Sequence, residues 1–272
     1  MINKTLLQKR FNGAAVSYDR YANVQKKMAH SLLSILKERY SETASIRILE
    51  LGCGTGYVTE QLSKLFPKAH ITAVDFAESM IAIAQTRQNV KNVKNVTFHC
   101  EDIERLRLEE SYDVIISNAT FQWLNNLQQV LRNLFQHLSI DGILLFSTFG
   151  HETFQELHAS FQRAKEERNI KNETSIGQRF YSKDQLLHIC KIETGDVHVS
   201  ETCYIESFTE VKEFLHSIRK VGATNSNEGS YCQSPSLFRA MLRIYERDFT
   251  GNEGIMATYH ALFIHITKEG KR

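Results

Sequence analysis

An α/β fold with a mostly parallel sheet, covered by helices on both faces, is what the sequence predicts, and three observations carry it. Strand-sized apolar runs alternate with helix-length segments from residue 46 to 149, and strands spaced in this way are joined by right-handed crossovers into a parallel sheet. Two of the runs, Val114-Ile115-Ile116 and Ile143-Leu144-Leu145-Phe146, are continuously apolar, as strands buried on both sides are. The first run ends at three glycines, Gly52, Gly54 and Gly56, and leads straight into a helical stretch. Strand, tight turn and helix is the parse.

Taken in order, Val24, Met28, Leu32, Ile35 and Leu36 recur at helical spacing with polar residues between them, so residues 24–36 form an amphipathic helix laid on a core. Strands are expected at 46–51, 71–75, 96–100, 114–117 and 143–149, with helices at 58–66, 78–88 and 127–138. After Phe149 the rhythm changes. Helices at 154–168 and 183–191 flank a polar stretch at 169–178; a strand follows near 198–205, then a helix at 210–220 and a loop rich in Gly, Asn and Ser at 222–230. The next helix has a marked start, with Ser234 as N-cap and Pro235 at its first position. Residues 259–267 alternate enough to be a closing sheet strand.

At 272 residues the chain suits one domain with an inserted or appended lobe. Its 42% hydrophobic and 24% charged residues, with only 2 Pro, are those of an ordinary globular protein, and disorder is expected only at the ends. No apolar run approaches the roughly 20 residues that cross a bilayer, and the N-terminus lacks the apolar stretch of a secretory signal; a cytoplasmic protein without a membrane partner is expected. Cys53, Cys100, Cys190, Cys203 and Cys232 are odd in number and far apart, with no C-x-x-C pair for zinc or redox chemistry. They are expected as buried, reduced thiols, and no metal site is expected. Residues 1–40 carry eight Lys or Arg against two acids, Asp19 and Glu38. Such a lobe attracts an acidic partner by steering, or is a solvated helix face. Nucleic acid is not an expected partner, because basic residues are not interleaved with a stacking platform.

The segment Glu50-Leu51-Gly52-Cys53-Gly54-Thr55-Gly56 carries the chemistry. Its glycines let the backbone approach a ligand closely and turn into a helix whose amide end favours polar groups. The dinucleotide fingerprint would need a third glycine at 57, where Tyr57 stands. Moreover, Glu50 would oppose a pyrophosphate, whereas a ligand with a cationic amino-acid end suits it. This segment resembles the first motif of the Rossmann-like S-adenosylmethionine methyltransferases, whose fold is a seven-stranded sheet with an antiparallel hairpin at the last strand. The resemblance spans 46–149 and implies S-adenosyl-L-methionine as cofactor. It implies that Asp75, 23 residues after Gly52, accepts both ribose hydroxyls, and that Asp102 and Ile103 clamp the adenine. Phe76 and Met80 pack the other face of that ring. The end of the fourth strand, residues 117–123 with Asn118 among them, lines the methyl donor and the acceptor pocket. Asp75 and Asp102 are equally suited to cap the helices that follow them.

Further segments narrow the likeness. Residues 11–25 (FNGAAVSYDRYANVQ), 117–124 (SNATFQWL), 147–157 (STFGHETFQEL) and 214–223 (FLHSIRKVGA) resemble the biotin-pathway carboxyl O-methyltransferases that act on malonyl thioesters. Asp141-Gly142 departs from the Pro-Gly-Gly of many relatives, in a structural loop. The resemblance implies a helical substrate lobe, made of residues 1–45 and the insertions within 150–272, on a cofactor-binding core at 46–149; the last two strands also fall in 150–272. The implied acceptor is malonyl-loaded acyl carrier protein, or malonyl-CoA. An ionised carboxylate needs no general base, so orienting donors and apolar walls are sought: Tyr18 to hydrogen-bond the acceptor or close over the cofactor, Gln122 to orient, Trp123 to pack. Arg179 and Arg219 are candidates for binding the malonyl carboxylate. The stripe Arg239, Arg243, Arg247 is a candidate carrier-docking face or plain solvated surface. Two other readings stay open: a methyltransferase of another small carboxylate or hydroxyl, in the manner of aconitate methyltransferases, and a non-catalytic S-adenosylmethionine-binding module.

Overall fold

In the computed structural model, whose described residues are 1–91, 94–171, 176–191, 195–224 and 234–270, the chain opens with two helices, α1 (Lys4–Tyr21) and α2 (Asn23–Arg39). Periodicity foretold only the second. Asn3 caps α1, its Oδ1 accepting from the Leu6 amide at 2.9 Å. The helix runs through Gly13 and buries only Leu7, Ala14 and Ala15 fully, too thin an apolar stripe to announce itself. In contrast, α2 buries Val24, Met28, Leu32 and Leu36, one continuous face. Truncating Leu32, which is wholly buried, to Ala would cost about 2–5 kcal/mol.

The alternating core follows: β1 (Arg47–Leu51), α3 (Tyr57–Leu65), β2 (His70–Asp75), α4 (Glu78–Lys91), β3 (Val96–Cys100), β4 (Tyr112–Asn118), a short 3-10 turn (Phe121–Trp123), α5 (Leu127–Gln136) and β5 (Leu138–Phe149). The first five strands are parallel, in the order β3-β2-β1-β4-β5. Beyond them lie α6 (Gln155–Glu167), α7 (Lys183–Cys190), β6 (Gly195–Phe208), α8 (Val211–Lys220), α9 (Pro235–Asp248), β7 (Thr250–Gly251) and β8 (Gly254–Lys268). β8 inserts antiparallel between β5 and β6. Among the described residues the sheet therefore has the expected seven strands plus the two-residue β7, which pairs with β8.

Boundaries differ from expectation where packing, not pattern, decides them. β6 and β8 are both longer than read, because they pair residue for residue from Gly195↔Lys268 to Phe208↔Ile255. β5 starts at Leu138 rather than Ile143, with a register shift opposite Tyr112 and Val114. There Asp141 takes a left-handed conformation (φ 60°), and a Cβ on Gly142 would meet the Ser139 carbonyl at 2.8 Å. Ser234 does cap α9, with Pro235 in its first turn.

Alternate residues of the central strands feed two cores. Ile48, Val114, Ile116, Ile143 and Leu145 pack with α2, α3, α6 and α9, while Leu49, Leu51, Ile115, Leu144 and Phe146 pack with α5 and α7. Strands buried on both faces account for the unbroken apolar runs. The expectation of five buried thiols is corrected: Cys53 and Cys190 are buried, but Cys100 and Cys203 are exposed. Both lie on edge strands, β3 and β6, where one face meets water; Cys232 falls outside the described residues. No helix among the described residues is long and apolar enough to cross a membrane.

Candidate active site

Strand order reverses direction between β1 and β4, and in such sheets the crevice beyond the carboxyl ends of these strands holds ligands. The turn after β1 is built for close approach. Gly52, Gly54 and Gly56 have φ of 72°, 54° and 78°, a region that side-chain-bearing residues enter only at a cost. A Cβ on Gly52 would lie 2.1 Å from Thr120 Oγ1. The Gly52 and Cys53 amides are both spent on the Val74 carbonyl, at 2.7 and 3.0 Å, which pins the turn to the end of β2.

A cleft of about 590 Å³ opens over this turn. Of the residues singled out from the sequence, Gly52, Gly54, Asp75, Phe76, Met80, Asp102, Ile103, Asn118, Tyr18 and Trp123 all line it. Glu50 and Gly56 are not on its walls. Glu50 sits on β1 behind the turn, 3% exposed. Gly56 is the N-cap of α3, and a Cβ there would press on Ala84 of α4 at 2.9 Å.

The acids of the cleft are unusual. Asp75 Oδ2 accepts from the Gly54 amide at 2.9 Å and Oδ1 from the Ala77 amide at 2.8 Å, yet burial pushes its carboxyl up to about 6. Burial pushes Glu50 up to about 7, with neighbouring Thr59 pulling the other way and Asp75 adding to the rise. Among the described residues Glu50 Oε2 has no hydrogen-bond partner. Buried oxygens of this kind are rare and mark a place where a donor belongs. Asp102 also caps locally, Oδ1 accepting from the Glu104 amide at 3.1 Å.

Helix α1 lies across the cleft, and Lys4, Gln8, Asn12 and Asp19 tie it to the parallel-sheet core. Gln8 donates to the Phe76 carbonyl at 2.6 Å, and Asn12 accepts from the Ser79 amide at 2.9 Å. Lys4 reaches Glu104 at 2.6 Å and Asp102 at 3.3 Å. Asp19 accepts from the Thr55 hydroxyl in the glycine turn at 2.6 Å and pairs with Arg87 of α4. Sequence reasoning missed Lys4, Phe11, Asp19 and Thr120 as wall or latch residues. The acid in the Tyr18-Asp19 pair was a readable signal for a latch; nothing marked Lys4 or Thr120, which are brought in by α1 and by the turn after β4.

A second cavity, about 1310 Å³ and mostly apolar, adjoins the first. Phe11, Tyr18, Ala119 and Trp123 line both cavities, so the two share a wall. Phe11 and Trp123 meet edge to face, centroids 5.8 Å apart. Among the described residues, Arg219 is the only Lys or Arg on the larger cavity's wall and Glu206 the only acid. Arg219 is exposed; Arg179 is exposed too and lines neither cavity.

Among the described residues the Tyr18 hydroxyl has no hydrogen-bond partner. Burial, then Asp75 and Asp19, hold its proton well above the usual phenol range. Gln122 is committed: its Nε2 donates to the Ala119 carbonyl at 2.7 Å and its Oε1 accepts from the Thr148 hydroxyl at 2.9 Å. It holds Ala119 in its left-handed conformation (φ 51°). Asn118 is engaged likewise, donating to the Gln25 carbonyl at 3.0 Å and accepting from Ser147 Oγ at 2.8 Å, which locks the end of β4 to α2.

Residues 42–194 match the family model of a methyltransferase domain. In fold the chain is similar to the YcgJ protein from Bacillus subtilis, with a TM-score of 0.62, 17% identity and cover of 89% of this chain and 100% of that one. It is similar as well to Haemonchus contortus phosphoethanolamine N-methyltransferase 2 in complex with S-adenosyl-L-methionine, with a TM-score of 0.60, 17% identity and cover of 95% and 57%. Strand order, glycine turn and these matches define the Rossmann-like methyltransferase class. Finer likeness comes from sequence. A malonyl-[acyl-carrier protein] O-methyltransferase of Bacillus cereus is 98% identical over the full length of both chains, that of Bacillus anthracis 87% over the full length of both, and that of Priestia megaterium 46% over 98% of this chain and 99% of its own. The chain belongs to the malonyl-[acyl-carrier protein] O-methyltransferase family.

Proposed function

We propose that this protein transfers a methyl group from S-adenosyl-L-methionine to the free carboxylate of a malonyl thioester carried on acyl carrier protein, giving the methyl ester at an early step of biotin synthesis. The observation that carries the reading is the shared wall of Phe11, Tyr18, Ala119 and Trp123 between a glycine-turned cleft and an apolar chamber. One side suits the donor and the other the acceptor.

The residues present fit the cofactor. Glu50 Oε2 is buried without a partner, which suits a cationic amino-acid end behind the turn, and the bare backbone at Gly52 and Gly54 leaves room for close approach. Asp75 would hold the ribose hydroxyls, Asp102 and Ile103 the adenine, with Phe76 and Met80 against the ring; Asn118 and Gly56 shape the turn ends. When bound, the cofactor supplies a methyl on a sulfonium sulfur, open to in-line displacement.

The protein's own part is orientation. A malonyl carboxylate is ionised near neutral pH, since its unperturbed pKa is about 4, so no base is called for. Tyr18 keeps its proton across the working pH range and acts as a donor to the acceptor carboxylate. Trp123 and Phe11 wall the junction and exclude water, which would otherwise solvate the nucleophile. Gln122 lies on the chamber wall and, bonded to Ala119 and Thr148, orients the turn after β4 beside the acceptor. Alignment of this kind supplies about 7–11 kcal/mol of barrier lowering. Arg219 at the chamber wall is placed to meet an anion; Arg179 has no such placement.

The test is direct. Wild-type protein with S-adenosyl-L-methionine and malonyl carrier protein should yield a product heavier by one CH2 on the acyl group, and the gene should rescue a strain lacking the biotin-pathway methyltransferase. Well-expressed protein that does neither overturns the reading. Malonyl-CoA is the alternative thioester, and comparing the two in the same assay decides which is the natural acceptor.

A further inference from the structure

A third depression lies outside both cavities described above. A groove of about 1430 Å³ runs between α1 and α8, and it shares Arg219 and Thr224 with the wall of the apolar chamber. Its flanks carry Lys9, Arg10, His216, Arg219 and Lys220 and, among the described residues, no acid. None of the ion pairs of the described residues involves Lys9, Arg219 or Lys220. Lys4, at the start of α1, is by contrast paired with Asp102 and Glu104. Positive charge left unneutralised on two facing helices is self-repulsive, and an anion seated between them relieves it.

The groove is held open by its own bonds. Ser17 Oγ donates to the Lys220 carbonyl at 2.9 Å, and Arg10 Nη1 donates to the Thr224 carbonyl at 3.0 Å, so the helices are fixed side by side. The groove is bare along α1 at Gly13, where a Cβ would meet nothing within 4 Å, whereas the turn at Gly222 packs against α1, a Cβ there meeting the Arg10 carbonyl at 3.2 Å. A thin chain can thus lie low between the basic flanks and continue past Arg219 into the apolar chamber.

We propose that this groove seats the phosphodiester of the phosphopantetheine arm of the acyl carrier protein. The inference rests on the malonyl-thioester reading above, and it adds where the arm enters and what recognises it. The pantetheine stretch of the arm, between the phosphodiester and the thioester, is uncharged and narrow, which suits the apolar chamber; its far end is an obligate anion. Lys9 and Lys220 act as point charges on that anion.

The experiment compares three acceptors on wild type and on Lys9→Glu, Lys220→Glu and the double variant: malonyl carrier protein, malonyl-CoA, and malonyl-N-acetylcysteamine, which has the thioester end without phosphate. Expected is a KM for malonyl carrier protein raised about tenfold or more in the double variant, with kcat little changed and a KM that climbs with salt in wild type. Methylation of malonyl-N-acetylcysteamine should be unchanged, which also reports that the variants fold. An unchanged KM for the carrier overturns the proposal, as does equal loss on carrier and truncated thioester, because phosphate is then not what is read. Loss on malonyl-CoA alone overturns the carrier assignment. If wild type methylates none of the three, the malonyl-thioester reading itself has failed and the groove assignment falls with it.

Discussion

Replacing Glu50 by Gln should make the ligand-free protein more stable and the cofactor complex weaker, two effects of opposite sign from one buried carboxylate. Burial raises the Glu50 carboxyl from its ordinary 4.5 to about 7. A group whose pKa is higher in the folded than in the unfolded chain holds its proton more tightly when folded. Its contribution is therefore fully present below the unfolded value and is lost as pH rises through the folded one. Between pH 5 and pH 8 the loss from this one group is about 2.5 kcal/mol, from the shift and the linkage relation at 1.36 kcal/mol per unit. Asp75, raised to about 6, adds a loss of the same sign in both proteins, so the difference between wild type and variant isolates Glu50. Urea unfolding without ligand at the two pH values should show Glu50→Gln losing less stability than wild type on going to pH 8, by roughly that amount. Calorimetry with S-adenosyl-L-methionine should show the reverse ranking. A charged hydrogen bond is worth about 1.5–3 kcal/mol, so binding weakens roughly 10- to 100-fold. Wild-type affinity should also fall as pH drops below about 7, with a flatter profile in the variant. Identical pH trends in unfolding, together with unchanged affinity, would refute the reasoning.

Three further outcomes follow from the geometry. Tyr18→Phe should leave the fold and cofactor affinity nearly intact while lowering kcat by about tenfold or more, the worth of one hydrogen bond to a charged acceptor; calorimetry and steady-state rates on the same preparation check it. Gly52→Ala puts a Cβ 2.1 Å from Thr120 Oγ1 on a backbone at φ 72°, so a loss of about 1–3 kcal/mol in stability is expected from the strained conformation alone, with cofactor binding abolished in calorimetry. Asp19→Asn removes the ion pair with Arg87 and weakens the bond from Thr55. Hydrogen exchange should then speed up along α1 more than along α2, and equal protection of the two helices would show that Asp19 is not a latch.

What could be read from the sequence was whatever local chemistry repeats. The doubly covered strands declared themselves because Ile115 and Leu144 must be as apolar as Ile116 and Leu145 when each faces a core of its own. The turn after β1 was equally plain, since three left-handed residues at 52, 54 and 56 demand glycine. Helix α1 was not, because it is held by polar ties from Lys4, Gln8, Asn12 and Asp19 to distant residues, and such ties have no period. For the same reason Lys4 and Thr120 went unnoticed on the cleft wall. The lengths of β6 and β8 depend on each other's backbone, not on their own alternation. Cys100 and Cys203 were read as buried because a thiol is usually so; an edge strand leaves one face to water.

The rival roles of Asp75 illustrate how a local rule and a functional site come to share one residue. A carboxylate offers about four lone-pair sites, and the Gly54 and Ala77 amides take one on each oxygen. Those two bonds fix the carboxylate plane against the glycine turn and the start of α4, so the carboxylate is already oriented in a cleft it lines. They also draw its pKa down against burial, which raises it, and so keep a charge available near neutral pH. Capping and ligand binding are then not alternatives: the cap is what aims the acid, and removing either amide should misdirect it without changing its identity. Asp102 follows the same plan in looser form, with one amide, Glu104, and one cation, Lys4, as its anchors. Its partial exposure to water makes it the weaker of the two, and the adenine edge is accordingly where substitution should be best tolerated.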